Sequence, residues 1–495
     1  MNVISLRSGL MLCCVILFPV FSQTATAGSL CVNPTGSHGC YSTIQAAVNH
    51  ASANDVIKVA HGTYTEQVTI GIPLSILGED ADRVTVDATG LAHGFFVDGF
   101  DNPGLANVTI AGFTVENAMF EGIIVVSASN VTIRNNHINN NDASPGLEFT
   151  GATMGCPGQP GNGVYENDES GDCGGALHLI GTSHSVVSDN SMTGNADGIL
   201  ISDETVESHD NILLRNSLVN NPLECGIVLA SHPPTGHVSP PFAPHYGVDH
   251  NTVAENVSIA NGVKIGGSGV GLFSDGNGPG RVEGNLVIHN KLIGNGLGGV
   301  DLHTHVGPAF GLPADSMDGN VIIGNFIAKN LADQADTATP GNVGININSG
   351  DGGSPVYGTV IAYNVIRDEQ VDIAVNTPAE VDIHLNDLGG GNIGVADVCA
   401  FDAATVCTGS INASENYWGC PDGPGAAGCT TVSGSDITFA PWLQQPPSDD
   451  HHWDSGSAFN ITPADRSHIA ALVDDTHPAA AKSFQNAVVG DSLAN

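Results

Sequence analysis

The chain has 495 residues, of which 63 are Gly and 13% are charged, and its 12 Lys+Arg stand against 51 Asp+Glu for a formal net charge of −39. That composition excludes a helical protein and a disordered one and fits a turn-rich β protein with a small-aliphatic core. The charge excludes nucleic acid as a partner, because binding it requires neutralised phosphates, and an anionic polysaccharide would need a bridging cation.

Residues 1–27 read as a secretory signal, with Arg7 as the positive start, an apolar run over 10–21 and Ala25-Thr-Ala27 as a cleavage site. The run is too short to span a membrane securely, and no later segment is long enough. The chain is therefore expected to be secreted or periplasmic, with a β domain over 28–445 and a polar tail over 446–495. Cys13 and Cys14 leave with the signal. Eight of the other nine Cys fall into close pairs: Cys31 and Cys40, Cys156 and Cys173, Cys399 and Cys407, Cys420 and Cys429. In an exported protein these read as local disulfides. Cys225 is left over and reads as a buried thiol. None of the pairs has the two-to-four-residue spacing of a metal-binding pair.

Residues 41–50 have the apolar spacing of one short helix, and 55–64 read as strand, turn, strand. A repeat then takes over. Asn pairs five residues apart recur at 135/140, 190/195, 216/221, 256/261, 290/295 and 325/330. Short strand-like runs follow: GILI from Gly198, GIVL from Gly226, GVGL from Gly269, GVDL from Gly299 and GINI from Gly344. Strands and turns repeating without a helical period predict a solenoid of parallel strands. Asn suits left-handed turns and can pair with Asn in the next coil, and Gly suits tight bends. The Gly starts at 175, 198, 226, 269, 299 and 344 are spaced 23, 28, 43, 30 and 45 residues apart. The short steps are bare coils. The long ones carry insertions at 231–250, 306–318 and 331–342, besides an earlier one at 142–173. Past 446 a short helix is expected over 463–473.

The stretch TIQAAV…ASANDVIKVAHGTYTEQVTI, together with these Asn-Gly repeats, resembles bacterial proteins of the pectin-lyase-like superfamily over roughly residues 40–440. The resemblance implies an all-β, right-handed parallel β-helix with an N-terminal capping helix. The segment 411–443, containing NYWGC and APWL, resembles the closing segment of secreted β-helix proteins and is expected to seal the last coil.

Counting each Gly start as position one, positions two and four are apolar and face the core. Position six is a hydroxyl column, Ser127, Ser231, Ser274, Thr304 and Ser349, with Asp203 as the exception. Position seven reads Ala128, Gly181, Glu204, His232, Asp275, His305 and Gly350. Rungs lie about 4.8 Å apart, so Glu204 and His305 span about 15 Å of one outward face. Glu204, His232, Asp275 and His305 are the candidate catalytic residues. His178, Asp203, Asp301 and His303 are candidate substrate contacts. His178 joins them only if its strand shifts by one residue, a register preferred because an unpaired buried His is costly.

Three chemistries fit this column. Glu204 and Asp275 sit about 10 Å apart at the backbone, within side-chain reach of the roughly 6.5–9.5 Å separation of inverting glycosidases. His232 or His305 could instead abstract a sugar C5 proton in lyase or epimerase chemistry, with carboxylates holding a metal against a uronate. Asp301, His303 and His305 share a strand face suited to zinc or copper, and a carboxylate-held ion would be calcium. The Arg or Lys base of pectate-lyase relatives has no counterpart in the column, and the polygalacturonase motifs are missing, so no catalytic residue carries over from either group. The expected function is carbohydrate-active, by hydrolysis or by β-elimination/epimerisation of a polysaccharide. The alternative is a non-catalytic glycan- or metal-binding protein, which resembles the copper-maturation accessory proteins of nitrous-oxide reductase; it would use the His-rich insertion with His232, His237, His245 and His250.

Overall fold

The computed structural model describes residues 27–141, 175–231, 246–264, 266–274, 279–304, 311, 313–332, 341–348, 354–376, 379–398 and 409–447. Three parallel sheets of 14, 12 and 11 strands run the length of the molecule. Each coil gives one strand to each sheet. Thr132–Arg134 lies in the 14-stranded sheet, His137–Asn139 in the 11-stranded and Leu177–Ile180 in the 12-stranded, and every one of these pairs in parallel with its neighbours. Consecutive strands in a sheet are thus separated by a whole coil, which is the definition of a solenoid.

The core is the stack of alternate inward residues. In the 12-stranded sheet, Ile123, Leu177, Ile199, Ile227, Val270, Val300 and Ile345 form one fully buried column. The Gly starts are required by space and not by a left-handed backbone. A Cβ on Gly198 would stand 2.1 Å from the carbonyl oxygen of Gly226 and 2.4 Å from Leu218 Cδ2.

The Asn repeat forms buried ladders. One runs through Asn136, Asn190, Asn216, Asn256, Asn290, Asn325, Asn364, Asn386 and Asn416, each amide donating to the Oδ1 of the next. A second runs from Asn141 through Asn195, Asn221, Asn261, Asn295 and Asn330 to Glu369. The first pair of the repeat is therefore Asn136/Asn141 and not 135/140. Asn135 and Asn140 carry the left-handed turn instead, with φ 55 at each. The division of labour is general: the residue before a ladder Asn takes positive φ, as at Arg215, Glu255 and Tyr363.

The N-terminal end is closed by a helix over Ile44–His50, shorter than the 41–50 expected. Thr43 Oγ1 accepts from Ala46 N, and the Glu66 carboxylate accepts from the N–H groups of Ile44 and Gln45 at 2.8 Å each, so a side-chain hydroxyl and an anion satisfy the first turn. Ile44, Ala47 and Val48 pack into the core. At the other end Trp418, in the segment 411–443, is fully buried in the same core. Disulfides join Cys31 to Cys40 and Cys420 to Cys429. Cys225 is a free, buried thiol. Cys156, Cys173, Cys399 and Cys407, the residues 1–26 of the expected signal, and the helix expected over 463–473 lie outside the described residues, as do the four insertions wholly or in part. Among the described residues no helix is long and apolar enough to cross a membrane.

Candidate functional site

The outward face of the 12-stranded sheet carries the candidate residues, and its register settles His178. His178 pairs with Ile124 on one side and Leu200 on the other, and the same column continues through Val228 and Gly271 to Asp301. The one-residue shift is real, so Gly181 belongs at position six and Thr182 follows at position seven. The adjacent outward column runs Val126, Ile180, Ser202, Ala230, Phe273, His303 and Asn348.

This face was expected to meet solvent, and it does not. Phe96, Ile124, Val126 and Ile180 form one buried apolar cluster on it, and Leu200, Cys225, Val228 and Ala230 form another. A line of buried polar groups crosses between them. His178 Nε2 lies 2.8 Å from Ser202 Oγ, and the Ser202 hydroxyl donates to Glu204 Oε2. A hydroxyl has one proton to give, so Nε2 of His178 is the donor to Ser202 in this arrangement. On the other side of His178, Glu121 Oε2 lies 2.7 Å from His93 Nδ1. Burial pushes the Glu121 carboxyl up, yet the charge and hydrogen bond of His93, with the charge of His178 behind them, hold it below the usual carboxylate range. All five residues are at most 1% exposed. Proton donor, relay hydroxyl and two carboxylates stand in one line, an arrangement able to deliver a proton at one end and accept one at the other.

His93 and Glu121 were missed by the sequence reading because it began at each Gly. Both stand immediately before one, in HG at 93–94 and EG at 121–122. The equivalent places in later coils hold Asp197, Cys225 and Ser268, a third outward column with its own chemistry.

The other candidates fall as follows. Asp203 is buried, and its Oδ2 accepts from Ser231 Oγ at 3.1 Å and from the N–H groups of Tyr246 and Gly247 at 2.9 and 2.5 Å. Those bonds pin a turn, so the expected substrate contact is a structural acceptor. Asp301 accepts from Ser268 Oγ, and the His303 ring stands edge-on to Phe273 at 5.8 Å. Both lie on the outward face but are buried. His232, Asp275 and His305 lie outside the described residues, so neither the Glu204/Asp275 separation nor the Asp301–His303–His305 metal trio is defined among them.

Where a metal could sit among the described residues is elsewhere. One nitrogen each of His184 and His209 and a carboxylate oxygen of Asp210 all lie within 4.8 Å of one another. His184 also lines a polar groove of about 540 Å³ together with Asn54, Asn107, Asn130 and Thr132.

A family model described as the right handed beta helix region matches residues 90–239. No curated protein matches the chain. Among solved structures, the A-module of a mannuronan C-5 epimerase of Azotobacter vinelandii is 14% identical, with 80% of this chain and 94% of that one covered at a TM-score of 0.44. The catalytic unit of a GH87 α-1,3-glucanase of Streptomyces thermodiastaticus is 14% identical, with 86% and 71% covered at 0.45. An alginate lyase of a Paenibacillus species is 13% identical, with 63% and 90% covered at 0.40. These likenesses concern the fold. With its three stacked parallel sheets and the family match across its central coils, the chain has the right-handed parallel β-helix fold.

Proposed function

We propose that the protein is exported and carbohydrate-active, cleaving or epimerising a polysaccharide by proton transfer drawn from a buried polar line on the outward face of the 12-stranded sheet. The observation that carries this reading is the line His93, Glu121, His178, Ser202, Glu204 across successive rungs. Rungs repeat every 4.8 Å or so, close to the length of one sugar ring, so a linear glycan can meet one rung per residue. In this reading Glu121 stabilises the positive form of His178, whose Nε2 proton passes through Ser202 to Glu204; Glu204 then gives a proton to the glycan as general acid and His178 is left neutral. The acidic chain, at −39, favours a neutral glycan or one whose carboxylates are bridged by a divalent cation. Two local disulfides support export.

The test is a screen of neutral and uronic polysaccharides for released reducing ends and for ultraviolet absorbance of unsaturated products. Glu204→Gln and His178→Gln are expected to lose at least about 100-fold in kcat, the size of a lost general acid or base. Full activity in both variants, with unchanged melting, would remove this face from the mechanism. A second reading, a non-catalytic metal binder, is favoured by the His184, His209 and Asp210 cluster, which needs no open groove on this face. Inactivity of the parent on every glycan decides for it.

A further inference from the structure

The left-handed turn that leads into the 14-stranded sheet has an unusual column. Asn107, Asn130, His184, Asp210 and His250 occupy it, with φ between 51 and 59, each N–H donating to a carbonyl of the next coil. Asn is the expected occupant, because it tolerates this backbone conformation. His and Asp also adopt it, and at His184, Asp210 and His250 they put donor side chains on successive coils. The preceding column changes one coil later: Ala106, Ser129 and Ser183 give way to His209, through consecutive bridges.

The result is a three-donor cluster. His209 Nδ1 lies 2.9 Å from Asp210 Oδ2, and His184 Nε2 lies 3.8 Å from the same oxygen. The two imidazoles stand nearly perpendicular with centroids 5.3 Å apart. Their side chains are 57%, 32% and 43% exposed in the order His184, His209, Asp210, so an ion can enter from solvent. Donors bound to one tetrahedral zinc at about 2.0–2.1 Å stand about 3.3 Å apart, and the observed spacings bracket that value.

We propose that His184, His209 and Asp210 form a binding site for a zinc-class divalent ion. Two imidazoles and one carboxylate suit Zn(II) or Cu(II), and not the all-oxygen shells of Ca(II) or Mg(II). Three protein donors leave a tetrahedral ion one further position, and the polar groove that His184 lines opens beside it. Glu207 lies within electrostatic reach of His209 and adds negative charge to the surroundings. The site shares no residue with the His178–Glu204 line.

The experiment uses the whole chain, stripped with a chelator and titrated with zinc by calorimetry and with cobalt by visible absorbance. The variants are His184→Asn, which keeps a residue suited to positive φ, His209→Gln and Asp210→Asn. His61→Asn, in the surface pair with Glu79 at 3.3 Å, is the control. The parent is expected to bind one more equivalent than His209→Gln, with tetrahedral cobalt bands that the three variants lose and the control keeps. Affinity should fall by more than about 100-fold, above the 10–100-fold that loss of a mere supporting residue costs. Other His-rich segments can add equivalents of their own without affecting this difference. Equal stoichiometry and equal cobalt spectra in parent and variants, or no saturable binding by the parent, would overturn the proposal.

Discussion

At the scale of single residues, Asn256 shows how the fold spends its amides. Its Oδ1 accepts from the N and Nδ2 of Asn216 at 2.9 and 3.0 Å, and its Nδ2 donates to Asn290 Oδ1 and to the Leu213 carbonyl at 3.0 and 2.9 Å. The side chain's whole hydrogen-bonding capacity is used, and all of it is buried. Asn256→Ala would leave two donors and one acceptor stranded in a dry interior, each costing about 1–3 kcal/mol. We expect a loss of at least about 3 kcal/mol by denaturant unfolding; a change within about 0.5 kcal/mol, the size of an ordinary surface substitution, would mean the ladder contributes little. The sequence made this ladder legible wherever Asn stood alone. It failed in RNNHINNN at 134–141, where 135/140 and 136/141 have identical spacing. Only the backbone separates them, because one Asn of each couple bends the chain and the other faces inward. Glu204 was likewise legible as a repeat position, but its partner Ser202 was not, since a hydroxyl among apolar neighbours carries no signal until the rungs are stacked.

At the scale of one structural element, the second ladder ends on an acid. Glu369 Oε1 accepts from both the N and the Nδ2 of Asn330 at 2.9 Å, taking the place of the next Asn. Burial pushes its carboxyl up to about 8, against which the two Asn330 bonds pull only partly. Asp372 beside it is pushed well up too, first by burial and then by the charge of Glu369. Folded, Glu369 therefore keeps its proton at neutral pH; unfolded, it gives the proton up at the ordinary carboxylate value. For a raised carboxyl the stability contribution is complete at acid pH and is lost as pH rises from about 4.5 towards 8, at up to about 1.4 kcal/mol per pH unit. Thermal melts across that window should fall steadily. Glu369→Gln, which keeps the acceptor and cannot ionise, should flatten the slope and melt higher than the parent at alkaline pH. Parallel profiles for parent and variant would show that Glu369 does not titrate in this window. Nothing in the sequence marked Glu369 as a ladder member, because the spacing rule was written in Asn and the substitution preserves only the acceptor.

At the scale of the whole molecule, the charge acts against the fold. Four of the described cations are paired: Arg215 with Asp189 and Arg281 with Asp249 at 2.8 Å each, Arg367 with Asp387, and Lys329 with Asp368 at 3.9 Å. With 51 acids against 12 Lys+Arg, carboxylates outnumber cations along a chain whose coils stack about 4.8 Å apart. Unfolding separates them, so self-repulsion destabilises the folded chain. Salt shortens the reach of that repulsion from about 10 Å at 0.1 M to about 3 Å at 1 M. The melting temperature is therefore expected to climb with sodium chloride, most steeply at the dilute end. A flat or falling curve would mean that the cation pairs, which salt weakens, outweigh the repulsion. Replacing sodium chloride by magnesium chloride at equal ionic strength should give nearly the same curve, since screening depends on ionic strength. Trace zinc is different in kind: it contributes no ionic strength, so a rise in melting on adding it to the parent, and not to His209→Gln, reports occupancy of one place and not a change in the field of the whole chain.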